Sequence, residues 1–324
     1  MKYRRFGRTG WQVSEVGCGM WAVGGAWGGA DDNESFRSIQ RSIELGCNFF
    51  DTAWAYGEGH SEKLLGALLR RYPNKKLYVA TKIPPKNRIW PSRREFTLDD
   101  DFPPEYIAEY VEKSRDNIGV DTLDLIQFHV WEDGWAHDTR WQKAITELKD
   151  RKLIAAAGVS VNRWEPDNVL ETLRTGLIDA VQVIYNIFDQ NPEDHLFPLC
   201  RELGVAIIAR VPFDEGTLTG TLSRDSKWPA GDWRNSYFVK ENLDASVERA
   251  EALRPLIPPG MSMAEMALRF INASPDIATS IPGMRKIKNV EANIGTSDGK
   301  GLPAELMGKL RAHRWDRTPT TWSQ

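Results

Sequence analysis

Several things are scarce in this sequence, and each scarcity excludes something. There are three cysteines, Cys18, Cys47 and Cys200, odd in number and far apart. They supply neither a disulfide framework nor a zinc site, and a reducing cytoplasmic setting is expected. There is no charge excess, since 42 basic and 45 acidic side chains leave a net −3. That balance lacks the basic footprint of a binder of nucleic acid or anionic membrane. No stretch approaches the about 20 unbroken apolar residues of a membrane span. Met1-Lys2-Tyr3-Arg4-Arg5 leads into polar residues rather than an apolar export core. The five histidines give no metal-ligand spacing, so no metal is expected. A G-x-S-x-G elbow, a Cys-His pair, internal repeats and low-complexity stretches are all missing. What is present is a chain of 324 residues, 41% hydrophobic, with glycine and proline spread throughout and 13 tryptophans that need a reason.

Periodicity organises the chain. Tyr3–Phe6 and Trp11–Val13 alternate around the turn Gly7-Arg8-Thr9-Gly10, which predicts a β-hairpin. Apolar runs and helical patterns then alternate. Strands are expected at Val16–Met20, Asn48–Asp51, Leu77–Lys82, Leu123–His129, Ile154–Ser160, Ala180–Ile184, Val205–Ala209 and Ile277–Ile281. Each is followed by a helical pattern, including Pro104–Ile118, Pro166–Leu173 and Ile287–Ile294. Eight strand-helix units predict a (β/α)8 barrel as one domain over residues 1–324. The rival is an open doubly wound sheet, which usually carries G-x-G-x-x-G after its first strand. Here Trp21-Ala22-Val23-Gly24-Gly25-Ala26-Trp27-Gly28-Gly29 lacks that spacing, so the barrel is favoured. Two long connections, 84–103 and 211–261, leave the C-terminal face, where barrel active sites lie. A helix after Pro303 and a loose Trp-containing end at 318–324 are expected to finish the chain.

Polar residues at strand ends are the ones to inspect. Asp51, with Tyr56 in the loop beyond it, Lys82 and His129 converge on one rim from three adjacent units. Singly, each has a bland reading as a cap, a solvated cation or a packed ring. Together they have a chemical meaning. A tyrosine titrates near 10, too high for easy proton transfer at neutral pH, and a neighbouring ammonium lowers that value. An aspartate holds the lysine charged, and a histidine hydrogen-bonds the reacting oxygen.

The run Asp51-Thr52-Ala53-Trp54-Ala55-Tyr56-Gly57-Glu58-Gly59-His60-Ser61-Glu62 resembles the D-T-A-x-x-Y-G-x-G-x-S-E signature of the aldo-keto reductases. Lys82 and His129 stand where that family has its other two catalytic residues, and the likeness runs from the hairpin to Asn293. The resemblance implies a (β/α)8 barrel with its bottom closed by the hairpin. It also implies a nicotinamide dinucleotide bound without a Rossmann domain.

By the same resemblance, Ser160 and Gln182 hold the nicotinamide carboxamide, with Asn162, displaced by one place, as a third contact. The family's usual A-Y-S-P-L-G becomes Ala209-Arg210-Val211-Pro212-Phe213-Asp214. Arg210 thus replaces the stacking tyrosine, and Pro212 and Phe213 follow it. Gly216 and Leu218 belong to the segment along the pyrophosphate. Gly283, Arg285, Asn289 and Asn293 form the adenosine site. Arg285 offers a fork for the 2′-phosphate of NADP, with NAD possible. Trp21, Trp54 and Trp131 are expected to wall a substrate pocket, whereas Trp141 and Trp164 are expected to pack. The implied function is NADP-dependent hydride transfer to a carbonyl compound or sugar. Rivals are an NAD(P)-dependent sugar dehydrogenase running toward oxidation, and a regulatory cofactor-sensing subunit.

Overall fold

The computed structural model describes residues 1–24 and 31–323. Most of the glycine-rich run after the first barrel strand lies outside them. Eight parallel strands follow one another in sequence and pair in that order: β3 (Cys18–Gly19), β4 (Phe49–Asp51), β5 (Tyr78–Ile83), β6 (Leu123–Phe128), β7 (Ile154–Ser160), β8 (Ala180–Ile184), β9 (Ala206–Arg210) and β10 (Ile277–Ser280). Bridges Val16–Ser280 and Gly19–Gly283 join the first to the last. Gly17 N–H donates to Ser280 O at 2.7 Å, and Gly19 N–H to Pro282 O at 3.0 Å. The sheet is therefore closed into a (β/α)8 barrel, as the unit count predicts.

The hairpin, β1 (Tyr3–Phe6) and β2 (Trp11–Ser14), seals the N-terminal end. Phe6 and Val13 are fully buried against Phe49, Tyr78, Leu125, Ala156, Ala180, Ala206 and Ile208, which point into the barrel. Gly7, at φ +47, presses on the turn that ends the sixth strand-helix unit, where a Cβ would stand 2.5 Å from Gly204 O. Arg4 fixes the seal from outside, donating to Ser274 O at 2.7 Å and Ile277 O at 2.9 Å. This apolar plug fills the lower interior, so polar inward residues gather at the C-terminal ends.

Helices cover the outside. They are α1 (Asp32–Glu44), α2 (His60–Leu69), α3 (Leu98–Asp101), α4 (Pro104–Ile118), α5 (Thr139–Asp150), α6 (Leu170–Arg174) and α7 (Leu196–Leu203). Then come α8 (Arg234–Tyr237), α9 (Lys240–Leu253), α10 (Met263–Asn272), α11 (Ile287–Gly295) and α12 (Ala304–Arg311). None is long and apolar enough to cross a membrane among the described residues. Two expectations change. The helix expected over 166–173 begins only at Leu170, because Asn168 bonds Trp131 O and the Asp133 amide instead. The end after 318 is not loose: Trp322 packs edge-on against Trp164 and Tyr237, with ring centroids 5.9 Å from each.

Candidate active site

The signature run builds the site through its own hydrogen bonds. After β4 the chain makes a tight turn in which Gly57, Glu58 and Gly59 all have positive φ. Gly59 suits its φ of +87°, and a Cβ there would also push aside the Asn117 amide that bonds Glu62. Thr52 donates to Ser61 Oγ at 2.8 Å, tying the strand end to the start of α2. Buried Glu62 accepts from Thr81 Oγ1 at 2.6 Å and Asn117 Nδ2 at 2.8 Å. Asp51 and Tyr56 are thereby fixed on either side of a rigid corner.

Lys82, on β5, is completely buried. Its Nζ donates to Asp51 Oδ1 at 2.5 Å and to Thr52 O at 2.8 Å. The other Asp51 oxygen accepts from Gln127 Nε2 at 3.1 Å and Gln182 Nε2 at 2.8 Å. A buried ion pair is tolerated when its remaining valences are met, and these amides meet them. Lys82 Nζ also lies 5.2 Å from the centre of the Tyr56 ring. The His129 ring meets Tyr56 edge-on at 5.8 Å. The structure thus brings Asp51, Tyr56, Lys82 and His129 together.

Electrostatics give each group a protonation state. Burial pushes the Tyr56 hydroxyl above its ordinary value, and the Lys82 cation pulls the other way without cancelling it. Burial first, then the Lys82 and Arg210 cations, holds His129 well below the ordinary histidine value. At neutral pH the pair is a protonated phenol beside a neutral imidazole. His129 Nδ1 is buried without a partner among the described residues.

The other expected residues line the same rim with varied engagements. Ser160 ends β7 beside Gln182 of β8, in register. Arg210 ends β9 and donates to Val161 O at 3.0 Å, and its Nε is buried without a partner among the described residues. Burial lowers Arg210 to about 10, so it remains a cation at neutral pH. Pro212 is buried and Phe213 half-buried. Gly216, at φ +113, opens onto free space, and Leu218 is buried beneath it. Gly283 and Asn289 are exposed and Arg285 half-exposed, while buried Asn293 donates to Gly283 O at 3.4 Å. The Asn162 amide is engaged by Glu132 Oε1 at 2.9 Å, Ser92 O at 3.4 Å and the Trp131 amide at 3.3 Å.

The expected aromatic wall is partly corrected. Trp131 is wholly buried between Phe128, Trp135 and Trp141, and its Nε1 donates to Thr172 Oγ1 at 2.8 Å. It is core, because the loop after β6 turns inward over α5 rather than out over the rim. Trp54 is half-buried, edge-on to Tyr110 and under the Arg88 guanidinium at 4.8 Å. Trp21 reaches Trp233 of the 211–261 connection, centroids 5.1 Å apart. Trp90, 36% exposed, stands edge-on to His129 at 5.7 Å. Sequence reasoning did not place Trp90 in the substrate pocket. It also passed over Gln127, although strand alternation places Gln127 and His129 on one face.

The sequence matches the family described as Aldo/keto reductase family over residues 15–314. It is 30% identical over 306 residues to the NADH-specific methylglyoxal reductase of Escherichia coli strain K12, covering 91% of this chain and 93% of that one. The holo aldo-keto reductase of Bacillus halodurans superposes with a TM-score of 0.78 at 26% identity, covering both chains fully. The glycerol dehydrogenase of Gluconobacter oxydans superposes at 0.79 with 27% identity, over 99% of this chain and 98% of that one. Fold, tetrad and these likenesses agree: the chain is an oxidoreductase belonging to the aldo-keto reductase family.

Proposed function

We propose that this chain transfers hydride between NADP and a small aldehyde, ketone or sugar, or the matching alcohol, in the cytoplasm. The observation that carries the reading is the Tyr56 and His129 rings meeting edge-on beside the buried Asp51–Lys82 pair, where burial favours the protonated phenol and the neutral imidazole. Bound nicotinamide would supply the hydride. Tyr56 holds the proton and donates it to the carbonyl oxygen as general acid. The Lys82 charge stabilises the phenolate left behind. Asp51, anchored by Gln127 and Gln182, holds the Lys82 ammonium in place. His129 donates its one N–H to the same oxygen and orients it.

The residues fit such a cofactor. Thr217 Oγ1 and Arg210 Nε are buried donors without partners among the described residues, and Gly216 leaves room beside them. Ser160, Gln182 and Arg210 would hold the nicotinamide end; Asn162, expected as a third contact, has its amide taken by Glu132, Ser92 and Trp131 and would brace the loop behind instead. Pro212, Phe213, Gly216, Thr217 and Leu218 would line the phosphates. Gly283, Arg285, Asn289 and Asn293 would hold the adenosine, with Arg285 on the 2′-phosphate. The E. coli relative, named NADH-specific, defines the competing choice of NAD. Trp21, Trp54 and Trp90 would bound the substrate.

A second reading, net alcohol oxidation, is favoured by Arg210. A cation beside the ring disfavours the positively charged oxidised nicotinamide and pulls hydride toward the cofactor. Tyr56→Phe tests the shared mechanism. It should cut turnover about 10²–10⁴-fold, the usual worth of a general acid, with dinucleotide affinity kept. Near-normal turnover would remove Tyr56 from the role.

A further inference from the structure

We infer that Arg317, in the C-terminal tail, is a positioning residue that holds segment 211–220 in its dinucleotide-binding shape. The inference rests on the reading above that this segment lies along the phosphates. Beyond α12 the chain crosses the C-terminal face, and Trp315 N–H donates to Phe188 O at 2.8 Å. Arg317 is then buried, 8% exposed. Its Nε donates to Asp189 Oδ1 at 3.2 Å, and its Nη2 to Asp189 Oδ2 and to Asp214 Oδ1, the latter at 2.7 Å. The guanidinium lies between the Trp164 and Trp315 rings, 4.6 and 4.5 Å from their centroids. Asn186 extends the tie, donating from Nδ2 to Asp189 Oδ2 at 2.8 Å and to Val211 O at 3.1 Å. One side chain therefore links the tail, the loop after β8 and the loop after β9.

The segment it grips needs gripping. Val211, Asp214 and Glu215 have φ of 53°, 47° and 55°. Such values are uncommon outside glycine, and for a β-branched valine they are strained. Asp214 and Glu215 would also repel a phosphate if they faced it. Arg317 neutralises the first, and Arg163 neutralises the second at 2.6 Å. With both acids turned aside, Thr217 Oγ1 and the open flank of Gly216 remain as the face available to an anion. Losing Arg317 would leave Asp189 and Asp214 as buried carboxylates without their cation and release the strained backbone. Among the described residues no hydrogen bond or ion pair joins Asp51, Tyr56, Lys82 or His129 to this cluster, so the chemical step should be spared.

The test uses full-length Arg317→Met, Arg317→Lys and Asp189→Asn. It reads NADPH and NADH affinity by tryptophan fluorescence, turnover at saturating dinucleotide, melting temperature and amide exchange. Arg317→Met should weaken dinucleotide binding about ten- to a hundredfold. Saturated turnover should stay within about threefold. Exchange should accelerate in 211–220 but not in β5 or β6. Arg317→Lys should recover part of the affinity by restoring charge without the fork. Should Arg317→Met fail to fold, Asp189→Asn carries the same expectation. A variant that melts earlier yet binds dinucleotide as tightly as wild type overturns the inference. A wild type that binds neither dinucleotide overturns the functional reading instead, and this inference with it.

Discussion

Replacing Lys82 with methionine separates chemistry from scaffolding more sharply than any other single change. Methionine matches the length and apolar stem of lysine but removes the ammonium. The side chains of Lys82 and Asp51 are 0% and 3% exposed, and their contact is 2.5 Å. Asp51 would keep its two glutamine donors and lose the cation it pairs with. Leaving one member of a buried pair without the other costs about 3–5 kcal/mol. At about 2.1 cal/mol/K of unfolding entropy per residue, 324 residues give roughly 0.7 kcal/mol/K. The melting temperature should therefore fall by about 4–7 °C. Adding Asp51→Asn should recover part of that loss, because the stranded charge disappears. Turnover should stay low in both variants, since neither has the Lys82 ammonium against the Tyr56 ring. Thermal unfolding followed by circular dichroism and a cofactor-absorbance assay read the two effects separately. A Lys82→Met protein that melts within about 1 °C of wild type would refute the buried-pair reasoning.

Trp131→Ala should destabilise the protein by about 3–5 kcal/mol, as for a large core ring, without a specific effect on substrate KM. Trp90→Ala should raise substrate KM with little change in unfolding midpoint, and the opposite pattern would return Trp90 to packing. Arg285→Ala should weaken NADPH about ten- to a hundredfold and leave NADH nearly unchanged. A wild type that prefers NADH would remove the 2′-phosphate role. For pH, His129 is held neutral in the fold while an unfolded histidine protonates near 6.5. The unfolded state then binds more protons, so stability is full above about 6.5 and declines below it. His313, also lowered, acts in the same direction, and exposed His195, raised by Asp167, acts against it. His129→Gln should flatten the fall in urea midpoint between about pH 7 and 5; an unchanged slope would show that His129 titrates normally.

The repeating units were legible because each strand buries two faces and each helix one, which leaves distinct periods in the sequence. The tetrad was legible because its members sit at strand ends whose spacing is local: Asp51 and Tyr56 share one turn. Trp131 was not. A tryptophan two places past a strand can turn out over the rim or in beneath a helix, and only the path of residues 131–138 decides. Arg317 was invisible for a different reason. Its partners, Asp189 and Asp214, lie more than 100 positions away, and nothing in the local pattern of 313–323 marks a buried cation. Asn168 shows the intermediate case, where side-chain bonds to another loop overrode a good helical pattern.

The seam of the barrel has a consequence for biosynthesis. β3 is two residues long, and its free edge is completed by Ser280, Pro282 and Gly283 near the other end of the chain. Arg4 likewise waits for Ser274 and Ile277. As the polypeptide leaves the ribosome, everything through Ser280 must emerge before either edge of the growing sheet finds its mate. Until then the nascent chain carries an open, hydrophobic, curved ribbon rather than a ring. Chaperone engagement should therefore persist until about residue 283 has cleared the exit tunnel and end abruptly once the last strand docks.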